Sequence, residues 1–204
     1  AKLAKGSDDE VLTLASGVPS WAEAGGGASA VVASGTITGS PSEIIEDGCF
    51  TSSYKFYELF IADLHSTSST SIHLQMRNGG STVTGSNYRG INTHVYFTTG
   101  SYATNMQGQY DTSTGWNIHG DSGIYNHVVS ALVGKVFFPW GDNISTYNKI
   151  MWKTWAQQTS TTGQMDYQNG TGIYNGYQVY DGFRLYFGAG TIAEGEYTVI
   201  GYKS

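Results

Sequence analysis

Apolar and polar residues alternate singly along much of this chain. Over residues 71–77, Ile72, Leu74 and Met76 fall on one side of an extended backbone and His73, Gln75 and Arg77 on the other. That period of two marks a half-buried strand. Tyr54-Lys55-Phe56-Tyr57-Glu58-Leu59-Phe60-Ile61 opens a longer strand that runs to about Leu64. Further strands are expected at 91–98, 124–133, 135–138, 150–157, 182–187 and 197–202, with a mixed β-forming stretch at 36–45. Turn signals separate them: Asn78-Gly79-Gly80, residues 139–143, Thr161-Thr162-Gly163, Asn169-Gly170, Asn175-Gly176 and Gly188-Ala189-Gly190. No segment carries a capped helical period. Short strands at this spacing predict an all-β protein, a jelly-roll-like antiparallel β-sandwich. The chain lacks the fixed-period repeat of a propeller or β-helix.

Residues 1–35 have a different texture. A brief apolar patch, Val11-Leu12-Thr13-Leu14, leads to a turn at Gly17-Val18-Pro19, then Trp21 and the flexible Gly25-Gly26-Gly27. Such a segment cannot bury a core alone. The expected division is therefore a short segment at 1–35, which extends as a linker or packs against other copies of itself, and a β-sandwich at 36–204. A cut at Gly35 should weaken that self-association.

Composition agrees with the strand reading. Charged residues are 13% of the 204, against roughly 25% in an ordinary globular chain. Aromatic residues reach 14%, with 15 Tyr and 5 Trp, which argues against disorder. The net charge is −6 and no cluster of Lys and Arg occurs along the sequence. Nucleic acid and anionic membrane surfaces are therefore not expected partners. The longest apolar stretch, around 128–133, is too short to insert across a bilayer. Cys49 is the sole cysteine, which excludes an intrachain disulfide and reads as a buried, inert thiol.

Two stretches resemble a known family. Leu3, Gly6, Val11-Leu12, Gly17, Pro19 and Trp21 are similar to a short segment that precedes the distal domain of bacteriophage tail fibres. Phe50, Ser52-Ser53-Tyr54, Tyr57 and Leu74-Gln75-Met76-Arg77 resemble the opening of the β-sandwich receptor-binding domain at the fibre C-terminus. Asp181-Gly182-Phe183-Arg184-Leu185, Gly190-Thr191-Ile192, Gly195 and Val199-Ile200-Gly201-Tyr202-Lys203 resemble its close. The resemblance implies a homotrimer in the virion, at the tip of a tail fibre, that attaches to a host polysaccharide or outer-membrane protein. It supplies no binding motif to carry over residue by residue.

Candidate chemistry must come from the residues themselves. Glu43, Glu46 and Asp47 are clustered, as are Glu194 and Glu196, but they read as solvated turn residues rather than a carboxylate pair across a cleft. The histidines, His65, His73, His94, His119 and His127, show no metal-ligand spacing. No Gly-x-Ser-x-Gly elbow occurs, and Gly170-Thr171-Gly172 lacks the lysine and helix of a phosphate loop. No catalytic residue, metal or cofactor is expected. Two aromatic and amide-rich stretches, 102–121 and 164–180, read as loops. Aromatic faces stack on sugar C–H surfaces while amides reach hydroxyls, so Tyr110, Trp116, Asn117, His119, Tyr167, Asn169, Tyr174, Asn175 and Tyr177 are the expected ligand-binding residues. Tyr57, Trp152 and Trp155 lie in strands and are expected in the core. The reading is a non-enzymatic adhesin; the alternatives are a glycan depolymerase and a structural fibre or capsid appendage without ligand.

Overall fold

A computed structural model describes residues 10–23, 28–98, 100–113, 115–124, 131–139, 148–157, 165–176 and 178–203. Among these the fold is all-β, without a helix. In chain order the strands are β1 (Glu10–Ala15), β2 (Val18–Glu23), β3 (Ser29–Ile37), β4 (Glu43–Glu46), β5 (Phe56–Ser66), β6 (Thr70–Asn78), β7 (Ser81–Thr82), β8 (Tyr88–Thr98), β9 (Ser101–Ser113), β10 (Trp116–Ile124), β11 (Leu132–Phe138), β12 (Asn148–Gln157), β13 (Met165–Tyr174), β14 (Gly182–Phe187) and β15 (Ile192–Tyr202).

Two antiparallel sheets form the body. The larger has eight strands in the order β3-β15-β5-β11-β12-β13-β8-β9; the smaller runs β10-β6-β14-β4, with β7 added beside β6. Their inner faces meet in one core. Leu59, Ile61, Val136, Phe138, Ile150 and Trp152 of the larger sheet lie against Ile72, Leu74, Met76, Trp116, Phe183 and Leu185 of the smaller. Burying a side chain of this size stabilises by about 1.5–3 kcal/mol. Phe50, ahead of β5, bridges Tyr57 and Phe138 at 4.8 and 4.9 Å between ring centroids. Cys49 beside it is buried, and burial pushes its thiol up to about 12, so it stays protonated and inert.

The alternation expected over 71–77 is present, but its polar side is also covered. Arg184 reaches over Gln75, donating to its Oε1 at 2.6 Å, and Asp47, Thr82 and Gly80 surround Arg77, so both are buried as well. Arg77 meets this by donating to both Asp47 oxygens at 2.6 and 2.9 Å, to Thr82 Oγ1 at 2.8 Å and to the Gly80 carbonyl at 2.6 Å. The guanidinium holds the Asp47 carboxyl below its ordinary range.

Other expectations need correction. The division at Gly35 falls inside β3, which pairs with β15 along the sheet edge. The sandwich therefore begins near Ala28, ahead of the glycine at which the texture changes. What stands apart is a smaller unit, the β1–β2 hairpin, whose strands pair only with each other. Its turn is Ser16-Gly17, with φ of 52° and 80°, one residue earlier than expected. Two positive φ values are what a tight two-residue hairpin turn requires. Asn169-Gly170 is not a turn but the middle of β13, and the supposed loops at 102–121 and 164–180 are largely β9, β10 and β13. The strand expected at 124–133 is divided between the end of β10 and the start of β11, with 125–130 outside the described residues. The turns expected at 140–143 and 161–163 also lie outside them.

Candidate ligand-binding face

β12 alternates without a break. Asn148, Ile150, Trp152, Thr154 and Ala156 are buried, whereas Lys149, Met151, Lys153 and Trp155 are exposed on the outer face of the larger sheet. Antiparallel register extends that face sideways. Trp155 stands between Val133 of β11 and Tyr167 of β13, and Tyr167 is opposite Val95 of β8. Met165, Phe97 and Tyr102 form the next row on one side. On the other side Lys153 stands between Lys135 and Asn169, and beyond it Met151 stands between Phe137 and Thr171.

The result is an aromatic platform open to solvent. Trp155 is 39% exposed, Phe97 49% and Tyr102 76%. The Trp155 and Tyr167 rings lie 5.5 Å apart at 41°. Exposed apolar side chains gathered in this way make the face a candidate binding surface. Beside it is a groove of about 440 Å³ lined by Phe137, Met151, Lys135, Lys153, Asn169, Thr171 and Glu58. Lys135 Nζ donates to Glu58 Oε1 at 2.9 Å, and Tyr202 donates its hydroxyl to Glu58 Oε2 at 2.9 Å. Flat rings flanked by amide, hydroxyl and ammonium groups can stack on a sugar and hydrogen-bond its substituents.

The nine residues expected to bind ligand are scattered by the fold. Tyr167 and Asn169 are on this face. Trp116, His119 and Tyr174 are corrected to the interior, at 0, 0 and 4% exposure. Trp116 stands edge-on to Tyr88 at 4.8 Å and donates its indole N–H to the Arg89 carbonyl at 3.0 Å. Its ring fits because position 172 is glycine: a Cβ there would come within 2.4 Å of the indole nitrogen. A Cβ at Gly170 would likewise meet the Trp152 ring at 2.2 Å. The Gly170-Thr171-Gly172 stretch thus seats two indoles. Tyr174 contacts Tyr88 and Tyr180 edge-on. Asn117 is half-buried in β10, and Asn175, just after β13, donates its backbone N–H to the Asn87 carbonyl at 2.8 Å. The side chains of Tyr110 and Tyr177 lie outside the described residues.

Trp155, expected in the core, is the principal residue that reading missed. The signal was available, because positions 152 and 155 differ by an odd number and must face opposite sides of one strand.

Beneath the platform lies a buried polar network. Asp166 is fully buried, with Oδ1 2.7 Å from His94 Nε2 and Oδ2 3.6 Å from His119 Nε2. His119 Nδ1 pairs with Thr154 Oγ1 at 2.9 Å. Burial, aided by the nearby His94, drives His119 down to about 3, so its ring is neutral at ordinary pH. Gln168 bonds Asn92 at 2.5 Å and exchanges two hydrogen bonds with the Gly120 backbone. Several carboxylates from the sequence clusters are likewise committed: Glu43 to Arg184, Glu46 to Tyr197 and Asp47 to Arg77. Glu194 and Glu196 are exposed, but in β15 rather than in a turn. Among the described residues no cluster of His, Cys, Asp and Glu has the geometry to hold a metal.

No protein-family model and no curated protein sequence matches this chain.

Proposed function

We propose that this chain is the receptor-binding tip of a bacteriophage tail fibre, working as a homotrimer and holding a bacterial surface polysaccharide on the outer face of its larger sheet. The observation that carries this reading is the solvent-facing Trp155–Tyr167 pair beside an amide- and lysine-lined groove. The reading is non-enzymatic. It rests on stacking and hydrogen bonding, and three weak copies of one site add up by avidity.

Fluorescently labelled protein should bind some members of a panel of bacterial cells and their purified polysaccharides without releasing reducing ends. Trp155→Ala should weaken that binding by about thirtyfold, the size of a central aromatic contact. Its melting temperature should fall, because the indole is only 39% exposed and packs on Tyr167, but the variant should remain folded at the assay temperature. Undiminished binding by this variant would remove the face from the proposal. Released sugar would move the reading to a depolymerase.

Trimer formation is assigned to the hairpin. Leu12, Leu14, Pro19 and Trp21 share one of its faces by register, and Leu14 is 74% exposed. A lone two-stranded hairpin is marginal in water, and three packed together cover that face. Removing residues 1–27 should yield a monomer by light scattering with an unchanged melt. Removing 1–35 should lower the melt as well, because most of β3 goes with it. An unchanged mass in the shorter truncation would place the trimer contact elsewhere.

A further inference from the structure

Within the larger sheet, the outer face of β8 and β11–β13 carries basic side chains on an acidic protein, with Glu58 of the neighbouring β5 at its border. Four of the ten Lys and Arg residues, Arg89, Lys135, Lys149 and Lys153, occupy outward positions on β8, β11 and β12. Across β8, β11, β12 and β13 the sole acidic residue is Asp166, which points inward and is fully buried. These positions are far apart in sequence and converge only in the sheet.

The register adds a second observation. Lys135 and Lys153 are direct partners across the β11–β12 ladder. Their Cβ atoms are therefore about 5 Å apart, a like-charge placement that disfavours the sheet. Glu58 answers one of them, Lys135. Lys153 enters no ion pair among the described residues and lines the groove with Asn169 and Thr171. An anion seated there would relieve the repulsion and accept from the ammonium, the amide and the hydroxyl together.

We infer that the groove selects an acidic glycan, with the carboxylate or phosphate of one sugar unit on Lys153 and a neighbouring ring on Trp155 and Tyr167. This rests on the adhesin reading and adds the charge class of its ligand. The net charge of −6 keeps the rest of the surface off an anionic polymer, so contact is confined to this face.

The test uses the full chain with three probes: sodium alginate oligomers, poly(glycerol phosphate) and dextran. The inference expects binding to at least one anionic probe and not to dextran, weakening with added salt. Alginate alone would identify a carboxylate ligand, and poly(glycerol phosphate) alone a phosphodiester. Lys153→Glu should lose at least about tenfold in affinity, as for a hydrogen bond to a charged group, with Lys153→Gln intermediate and both melting no lower than the parent, because each removes the repulsion with Lys135. Lys203→Glu makes the same change in net charge and should leave affinity unchanged. Equal binding of dextran, or indifference to Lys153→Glu, overturns the inference. So does a fall in assembly mass in Trp155→Ala, which would make this face a contact between copies. Cell binding that depends on Trp155 but not on Lys153 would overturn the acidic ligand and leave adhesion standing. Absence of binding to cells and probes alike would take down adhesion itself.

Discussion

Trp116→Ala is expected to destabilise the fold by about 3–5 kcal/mol, measured as a lower midpoint in urea unfolding with an unchanged slope. The indole is fully buried between the sheets, edge-on to Tyr88, bonded to the Arg89 carbonyl and seated over Gly172. Truncation removes the ring, leaves a cavity that the flanking strands cannot close, and orphans a carbonyl. Against a total stability of about 5–15 kcal/mol for a typical domain, that loss leaves little reserve. Trp116→Phe keeps much of the volume and should fall between parent and alanine. The expectation separates core from site: ligand binding by Trp116→Ala should fail only as far as the protein unfolds. A variant with parental stability and selectively lost binding would return Trp116 to the ligand surface and contradict its buried position.

Asp166→Ala should cost about 1–3 kcal/mol, because it leaves buried polar atoms of His94 and His119 without their carboxylate partner. His94 at 2.7 Å and His119 at 3.6 Å would face an empty space inside the sandwich. The same network predicts a pH dependence. His119 is near 3 in the folded chain, against about 6.5 for an unfolded histidine. Between those values the unfolded state binds more protons, so stability is full above about pH 6.5 and falls as pH drops towards 3, by up to about 1.4 kcal/mol per pH unit. His73, also lowered by burial, adds to the slope in the same direction. Urea midpoints at pH 7, 6, 5 and 4 measure it. His119→Gln should flatten the curve without abolishing it. A flat parental profile, or an Asp166→Ala variant as stable as the parent, would show that the network does not hold the sheets together.

Strand type and position were largely legible beforehand. The alternation over 71–77 reappears in β6, the strand expected at 182–187 in β14, and the strand begun near Tyr54 in β5. Period-two patterning is local, so the sequence carries it directly. Gly, Asn, Tyr and Thr misled, because the same residues serve turns and sheet interiors. Asn169-Gly170 has the composition of a turn, yet Gly170 is small so that Trp152 can approach. The richness in aromatic and amide residues around Trp116 and Tyr174 suggested exposed loops, whereas Trp116 and Tyr174 point between two sheets.

The chain by itself determined the all-β class, the alternating faces within each strand, the inert Cys49 and the low overall charge, because each depends on composition or on neighbours two positions apart. Tertiary structure decided the rest. It placed β3 in the sandwich through its pairing with β15. It turned Trp116 inward and left Trp155 outside. It brought Arg89, Lys135, Lys149 and Lys153 to one face of a chain whose linear sequence shows no basic cluster. The physical reason is that a sheet makes neighbours of residues distant in sequence: register across hydrogen-bonded strands, and the side on which the second sheet packs, set the chemistry of each face.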